Sequence, residues 1–108
     1  MSKIKICNAE YEIVFRPLKD AVFNGCSEIG KCDGINYIIY IAEDMPSNRK
    51  IQTLIHELIH ALLNEANYSR IIHNKLGEFE EPFVEAMEKP LLSLFIDNDI
   101  NDIIREIK

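Results

Sequence analysis

The stretch TLIHELIHALL, Thr53 to Leu63, is apolar almost throughout, yet His56, Glu57 and His60 interrupt it at fixed spacing. It reads as the middle of a helix from about residue 47 to residue 66, with Asp44, Pro46 and Ser47 supplying cap chemistry and a first-turn proline. Residues four apart project from the same side of a helix, so His56 and His60 can converge their imidazoles on a single ion. Glu57 lies one step round the cylinder, placed to hold and deprotonate a metal-bound water without being a ligand itself. At 100° per residue Ile51, Ile55, Leu58 and Leu62 share one side, and the histidines lie roughly opposite. The expectation is that the aliphatic side packs into the core while Ile59 and Leu63 flank the histidines.

Outward from this helix the apolar period changes from helical to alternating. Ile4 and Ile6, then Tyr11, Ile13 and Phe15, recur every second position on either side of CNAE, the pattern of two strands joined by a turn. The segment RPLKDAVFNGCSEIGKCDG is punctuated by proline and glycine and reads as mostly loop, with room for one short helical turn. Ile35 to Ala42 reads as a strand, bounded by Gly34 and by EDMPS. A second helix is expected to begin near Glu80 or Glu81, with Pro82 in its first turn. Its buried stripe would be Val84, Met87, Leu91, Leu94 and Phe95, with a kink at Pro90. The tail DNDINDIIREIK would add a short helix with Ile100, Ile103, Ile104 and Ile107 as its apolar side. The fold class is therefore α+β: a small, mostly antiparallel sheet of about three strands packed on two helices, as a single domain over residues 1–108.

Composition narrows the partners. With 108 residues and 47% hydrophobic content the chain suits one globular core. Its 12 basic and 18 acidic side chains give a net charge of −6, which disfavours nucleic acid phosphates and anionic membrane surfaces. No apolar run is long enough to cross a bilayer, and MSKIKICNAEYEIVF alternates instead of forming a signal-peptide core, so a soluble, cytoplasmic protein is expected. Cys7, Cys26 and Cys32 are odd in number and irregularly spaced, which argues against a disulfide framework and for packing or surface thiols. The gap between Cys26 and Cys32 exceeds the usual zinc-knuckle loop.

A catalytic zinc takes three protein ligands and keeps one position for water. The possible third donors are Glu65, His73, Glu78, Glu80, Glu81, Glu85 and Glu88. Glu65 points away, being about 140° round the helix from His60. Glu81 opens the second helix and Glu85 lies one turn further along it on a neighbouring line; for both, the alternative is an ordinary acid complementing the helix N-terminus.

HELIH followed by EPFVE, Glu81 to Glu85, resembles the zincin metallopeptidases, in particular the glutamate-zincin branch, where a Glu from a second helix completes HExxH. That resemblance implies His56, His60 and Glu81 as zinc ligands, Glu57 as general base, and Glu85 as a carboxylate that orients a ligand histidine. In length and element order, residues 35–98 look like the minimal zincins of phages and prophages, and are similar to the ImmA/IrrE-type intracellular peptidases that cleave transcriptional repressors. The implied function is zinc-dependent hydrolysis of an amide bond in a protein or peptide segment, a regulatory protein among them. The strand INYIIYIA is either an edge on which an extended peptide adds or a central packed strand. Tyr40, Tyr68 and His73 are candidates for stabilising an oxyanion. Two other readings remain: a zinc-stabilised binding module without turnover, its water position closed by a ligand such as His73, and a metal-free interaction domain. The oligomeric state is not fixed by the sequence.

Overall fold

The computed structural model describes residues 2–66 and 76–107; the side chains of residues 76–79 and 100 lie outside that description. Strands β1 (Lys3–Ile6) and β2 (Ala9–Arg16) form the expected hairpin, in the register Ile6↔Ala9 to Lys3↔Glu12. Cys7 leads the two-residue turn in the left-handed region (φ 56°), the backbone that matches the twist of a hairpin. The chain then passes through a single 3-10 turn at Ala21–Phe23. Asp20 caps it by accepting from the Val22 N–H at 3.0 Å, and Phe23 is fully buried.

Two further strands complete a four-stranded sheet of order β1-β2-β4-β3, against the roughly three expected. Strand β4 (Ile38–Ala42) runs parallel to β2, and β3 (Gly30–Asp33) runs antiparallel to β4. The sheet is therefore mixed. Strand β3 lies in the segment read from sequence as loop, because Gly-Lys-Cys-Asp carries no apolar alternation and takes its strand form from the ladder with β4. Strand β4 is central, so of the two roles open to INYIIYIA the packed one applies, and β1 and β3 are the edges. Ile35 to Tyr37 precede β4 as an exposed turn, in which the Asp33 carboxylate accepts from the Ile35 and Asn36 N–H groups at 3.1 and 3.0 Å.

Helix α1 (Ser47–Glu65) covers one face of the sheet. Leu54, Leu58 and Ala61, at the i, i+4, i+7 spacing of one helical stripe, pack against Ile6, Tyr11, Ile13, Ile39 and Ile41. This corrects the expected orientation. Ile51 and Leu62 are exposed and Ile55 is half-buried, so the helix is turned to set Leu54 rather than Ile51 on the sheet. The start of α1 also differs: its N-cap is Pro46 with no side-chain cap, and Asp44 instead accepts from the Leu18 N–H at 3.1 Å. At the other end Tyr11 donates to Glu65 at 2.8 Å, and Asn64 donates to the Tyr11 hydroxyl at 3.1 Å and to the Gly34 carbonyl at 3.3 Å. These bonds tie the end of α1 to β2 and to the turn after β3.

Helix α2 (Leu76–Ile96) begins earlier than expected, so Pro82 as well as Pro90 lies inside it. Val84 is fully buried, whereas Leu94 and Phe95, assigned from sequence to the buried stripe, are exposed. Helix α3 (Ile100–Ile107) follows, as the periodicity of the tail predicts.

Candidate metal centre

The site forms where α1 and α2 face each other. On α2, Glu80, Glu81, Val84 and Glu88 share one side by helical spacing, and the burial of Val84 shows that this side is turned inward. On α1 the opposing groups are His56 and His60, both half-buried. His56 Nδ1 lies 2.8 Å from Glu88 Oε1, and His60 Nδ1 is bonded to Glu80. As the chain advances along α1 its partners recede along α2, so the helices run antiparallel. The other nitrogen of each ring, Nε2, turns to Glu81, 3.4 Å away for His56 and 2.6 Å for His60.

This arrangement carries its own electrostatic argument. When each Nδ1–H donates to its glutamate, each Nε2 presents a lone pair, and both lone pairs converge on a carboxylate. Three acceptors face one another, which is unfavourable unless a positive charge lies between them. Ligand atoms of His56, His60 and Glu81 all lie within 4.8 Å of one another, and two imidazoles with one carboxylate are a donor set suited to zinc. The residues therefore fit a divalent transition metal. The same field acts on His60: burial lowers its pKa, but the bond to Glu80 and the charges of Glu57, Glu81 and Glu80 outweigh burial and raise it above its ordinary value.

Glu57 sits beside this centre on the flank of α1 facing β3, and it is buried. Its carboxyl is raised to about 7, chiefly by burial, with His56 and His60 opposing the rise and Glu81 and Glu28 adding to it. Its neighbour on β3 is Gly30. A Cβ built on Gly30 would overlap Thr53 Cγ2 and stand 3.0 Å from Glu57 Oε2. Only a glycine lets the edge strand come this close to the helix. Further along, Gly34 meets Asn64, so β3 and α1 run side by side in the same direction with His56, Glu57 and His60 between the two contacts. The space between them is an open cleft walled by β3 and floored by α1, with Glu80, Glu81 and Glu88 on its far side.

A family model described as the IrrE N-terminal-like domain, Peptidase_M78, matches residues 9–89. The chain belongs to this family. No curated relative and no solved structure matches it significantly. The Peptidase_M78 match makes the chain a metallopeptidase-like domain. It runs from the start of β2 to just past Glu88, and so takes in the central strands, α1 and the inward side of α2. It also reaches well into the N-terminal region that the sequence resemblance, covering 35–98, left outside. No described helix is long and apolar enough to cross a membrane.

Of the residues singled out from sequence, the structure brings together His56, Glu57, His60 and Glu81. Glu85 is exposed, about 100° round α2 from Val84, and the carboxylates on the Nδ1 atoms are instead those of Glu88 and Glu80. From sequence both are candidates for the third ligand alone. The i, i+4, i+8 spacing of Glu80, Val84 and Glu88 could have grouped them, had the helix been started before residue 80. Glu65 is at the far end of α1 on Tyr11, as its angle predicts. Tyr40 is not among the residues lining the cleft. Tyr68 and His73 lie outside the described residues, as does the side chain of Glu78.

Proposed function

We propose that the chain is a zinc-dependent peptidase, in which His56, His60 and Glu81 hold the metal and Glu57 is the general base. The observation that carries this reading is a buried glutamate set beside two ring nitrogens and a carboxylate that converge on one point. A divalent metal held there supplies Lewis-acid polarisation of an amide carbonyl and acidifies a bound water. The chain's own groups do the rest. Glu57, kept out of bulk water against Gly30, takes the proton of the attacking water and delivers it to the leaving amine. Glu88 and Glu80 hold the two imidazoles in one tautomer and one orientation, so that no reorganisation is needed when the metal binds.

The substrate class that suits the cleft is a protein or peptide segment in extended form, such as an exposed stretch of a regulatory protein, rather than nucleic acid or lipid. Strand β3 pairs with β4 on one side only, and its other edge lies along the cleft, where a peptide can add as a fifth strand. All three cysteines are unbridged, which agrees with a reducing cytoplasm.

The test is direct. Protein purified without a histidine tag should contain near-stoichiometric zinc and cleave casein or a quenched-fluorescent peptide library, and Glu57→Gln should keep the metal but lose the hydrolysis. Full activity in Glu57→Gln rejects the general-base role, and protein that refuses zinc overturns the whole reading. Bound zinc without hydrolysis of any peptide would identify a structural metal site.

A further inference from the structure

The floor of the cleft extends past the metal centre toward the start of α1. That helix lines it with Arg49, Gln52, Thr53, His56, His60 and Asn64, a set that recurs in steps of three and four and so follows one side of the helix. Thr53 and Asn64 spend their polar groups within the fold, on the Arg49 and Gly34 carbonyls. Arg49 and Gln52 do not. Both are exposed. Arg49 is bonded through its backbone, to the side chains of Asn48 and Thr53, and among the described residues neither the guanidinium nor the Gln52 amide has a partner.

The acids that line the cleft are already engaged. Glu80 and Glu88 hold the two imidazoles, Glu81 faces both Nε2 atoms, and Glu28 accepts from the Asn24 amide. The other cation of the lining, Lys31, stands on β3 between Gly30 and Cys32, which turn toward α1, so the pleat sends its side chain to the opposite face of the sheet. The floor thus carries one guanidinium without a carboxylate of its own. Its planar fork suits a carboxylate in the two-bond geometry, and Gln52, one turn on, adds an amide donor.

The place of that carboxylate follows from the helix. Arg49 precedes His56 by seven residues, about 10 Å along the axis, a distance that an extended chain covers in about three residues. A peptide that pairs antiparallel with β3, the more stable arrangement, runs against the direction of α1, because β3 and α1 run the same way. Its C-terminal half therefore leads toward Arg49. We propose, on the peptidase reading, that Arg49 with Gln52 binds a substrate carboxylate about three residues beyond the scissile bond, on its C-terminal side. The carboxylate is either an Asp or Glu side chain or the free end of the substrate chain.

A peptide library with free C-termini and the same library amidated, each digested by the zinc-loaded protein, supply the test when the cleavage sites are mapped by mass spectrometry. Asp, Glu or a free terminus should be enriched about tenfold at the third position after the cut. Amidation should abolish the enrichment where the chain end is the source and leave it where side chains are. Arg49→Glu should turn the preference toward Lys and Arg, and Arg49→Lys, which keeps the charge without the fork, should retain part of it. On one matched peptide the loss in Arg49→Ala should fall on KM rather than kcat, since the contact is the same before and during the reaction; a distorted helix would lower kcat as well. Fluorescence anisotropy of a labelled Glu peptide and its Gln counterpart on zinc-loaded Glu57→Gln protein should show the same preference without turnover. Cleavage with no carboxylate preference, or a preference that survives Arg49→Glu, overturns the proposal and leaves the peptidase reading standing. Failure of the zinc-loaded wild-type protein to cleave any peptide overturns both.

Discussion

Replacing Gly30 by alanine tests the close approach of β3 to α1 with a single methyl group. The added Cβ would overlap Thr53 Cγ2 and crowd Glu57, with Oε2 at 3.0 Å and Cγ at 3.2 Å. Thr53 cannot rotate out of the way without cost, since its hydroxyl donates to the Arg49 carbonyl at 2.8 Å and its side chain is buried. The strand must therefore retreat by about 1 Å, or the side chains must leave their rotamers, at a cost of about 1–3 kcal/mol for overpacking. A displacement of that size at a reacting group lowers kcat/KM by about a hundredfold, so activity should fall more than stability does. Thr53→Ser removes the overlapping methyl at a cost of about 0.8 kcal/mol. In the double variant the two changes should couple favourably by about 1–2 kcal/mol. Urea denaturation of the four proteins of the cycle, read alongside peptide hydrolysis, supplies both numbers. If Gly30→Ala costs less than about 0.5 kcal/mol, or Thr53→Ser brings no recovery, steric contact with Thr53 is not what keeps position 30 a glycine.

Glu88→Ala should weaken zinc binding by about 10- to 100-fold in a competition titration with a chromophoric chelator, whereas Glu85→Ala should leave it within twofold, the reverse of what the sequence motif alone implies. Equal effects would show that the bond between Glu88 and His56 does not orient the ring. In chelator, the stability of the metal-free protein should fall as pH rises from about 5 to about 7.5. Glu57 keeps its proton in the fold up to about 7 but loses it near 4.5 in the unfolded chain, so the unfolded state binds fewer protons across that window, at a cost of up to ~3 kcal/mol. His60 acts in the same direction, because its raised pKa stabilises the protonated fold, and that contribution is lost as pH rises through it. Glu57→Gln should flatten the decline in melting temperature, and an unchanged pH profile in that variant would contradict the burial argument.

Features fixed by spacing within one element were legible in the sequence. The two histidines of α1 share a side because four residues make one turn, and no tertiary information is needed to see it. The hairpin of β1 and β2 and the helix α3 were legible for the same reason, as unbroken apolar periods. What required a partner was hidden. Strand β3 has no pattern of its own and exists because β4 offers it a ladder. The stripe of α1 that meets the sheet could not be chosen, since Leu54 and Ala61 compete with Ile51, Ile55 and Leu62 for the place beside Leu58, which belongs to both sets, and the sheet alone decides between them. The roles of Glu80 and Glu88 depend on how far α2 slides along α1, and the early start of that helix was masked by Gly77 and Pro82. The family pattern pointed to Glu81 without that register, but it put the supporting carboxylate at the wrong turn.

The two rims of the sheet are treated differently. Lys3 and Lys5 project from β1 as exposed cations at alternate positions, the kind of charge that discourages a foreign strand from adding there. On the opposite rim β3 carries one lysine and is otherwise small or acidic, and it leaves its backbone groups available along the cleft. On the proposed reading, in which a substrate strand adds on that side, the same ladder is offered to a strand of an unfolded copy. Overexpression or mild heating should therefore produce aggregates nucleated at β3 rather than β1, and a peptide that occupies the cleft should act as an inhibitor of fibril growth as well as of hydrolysis.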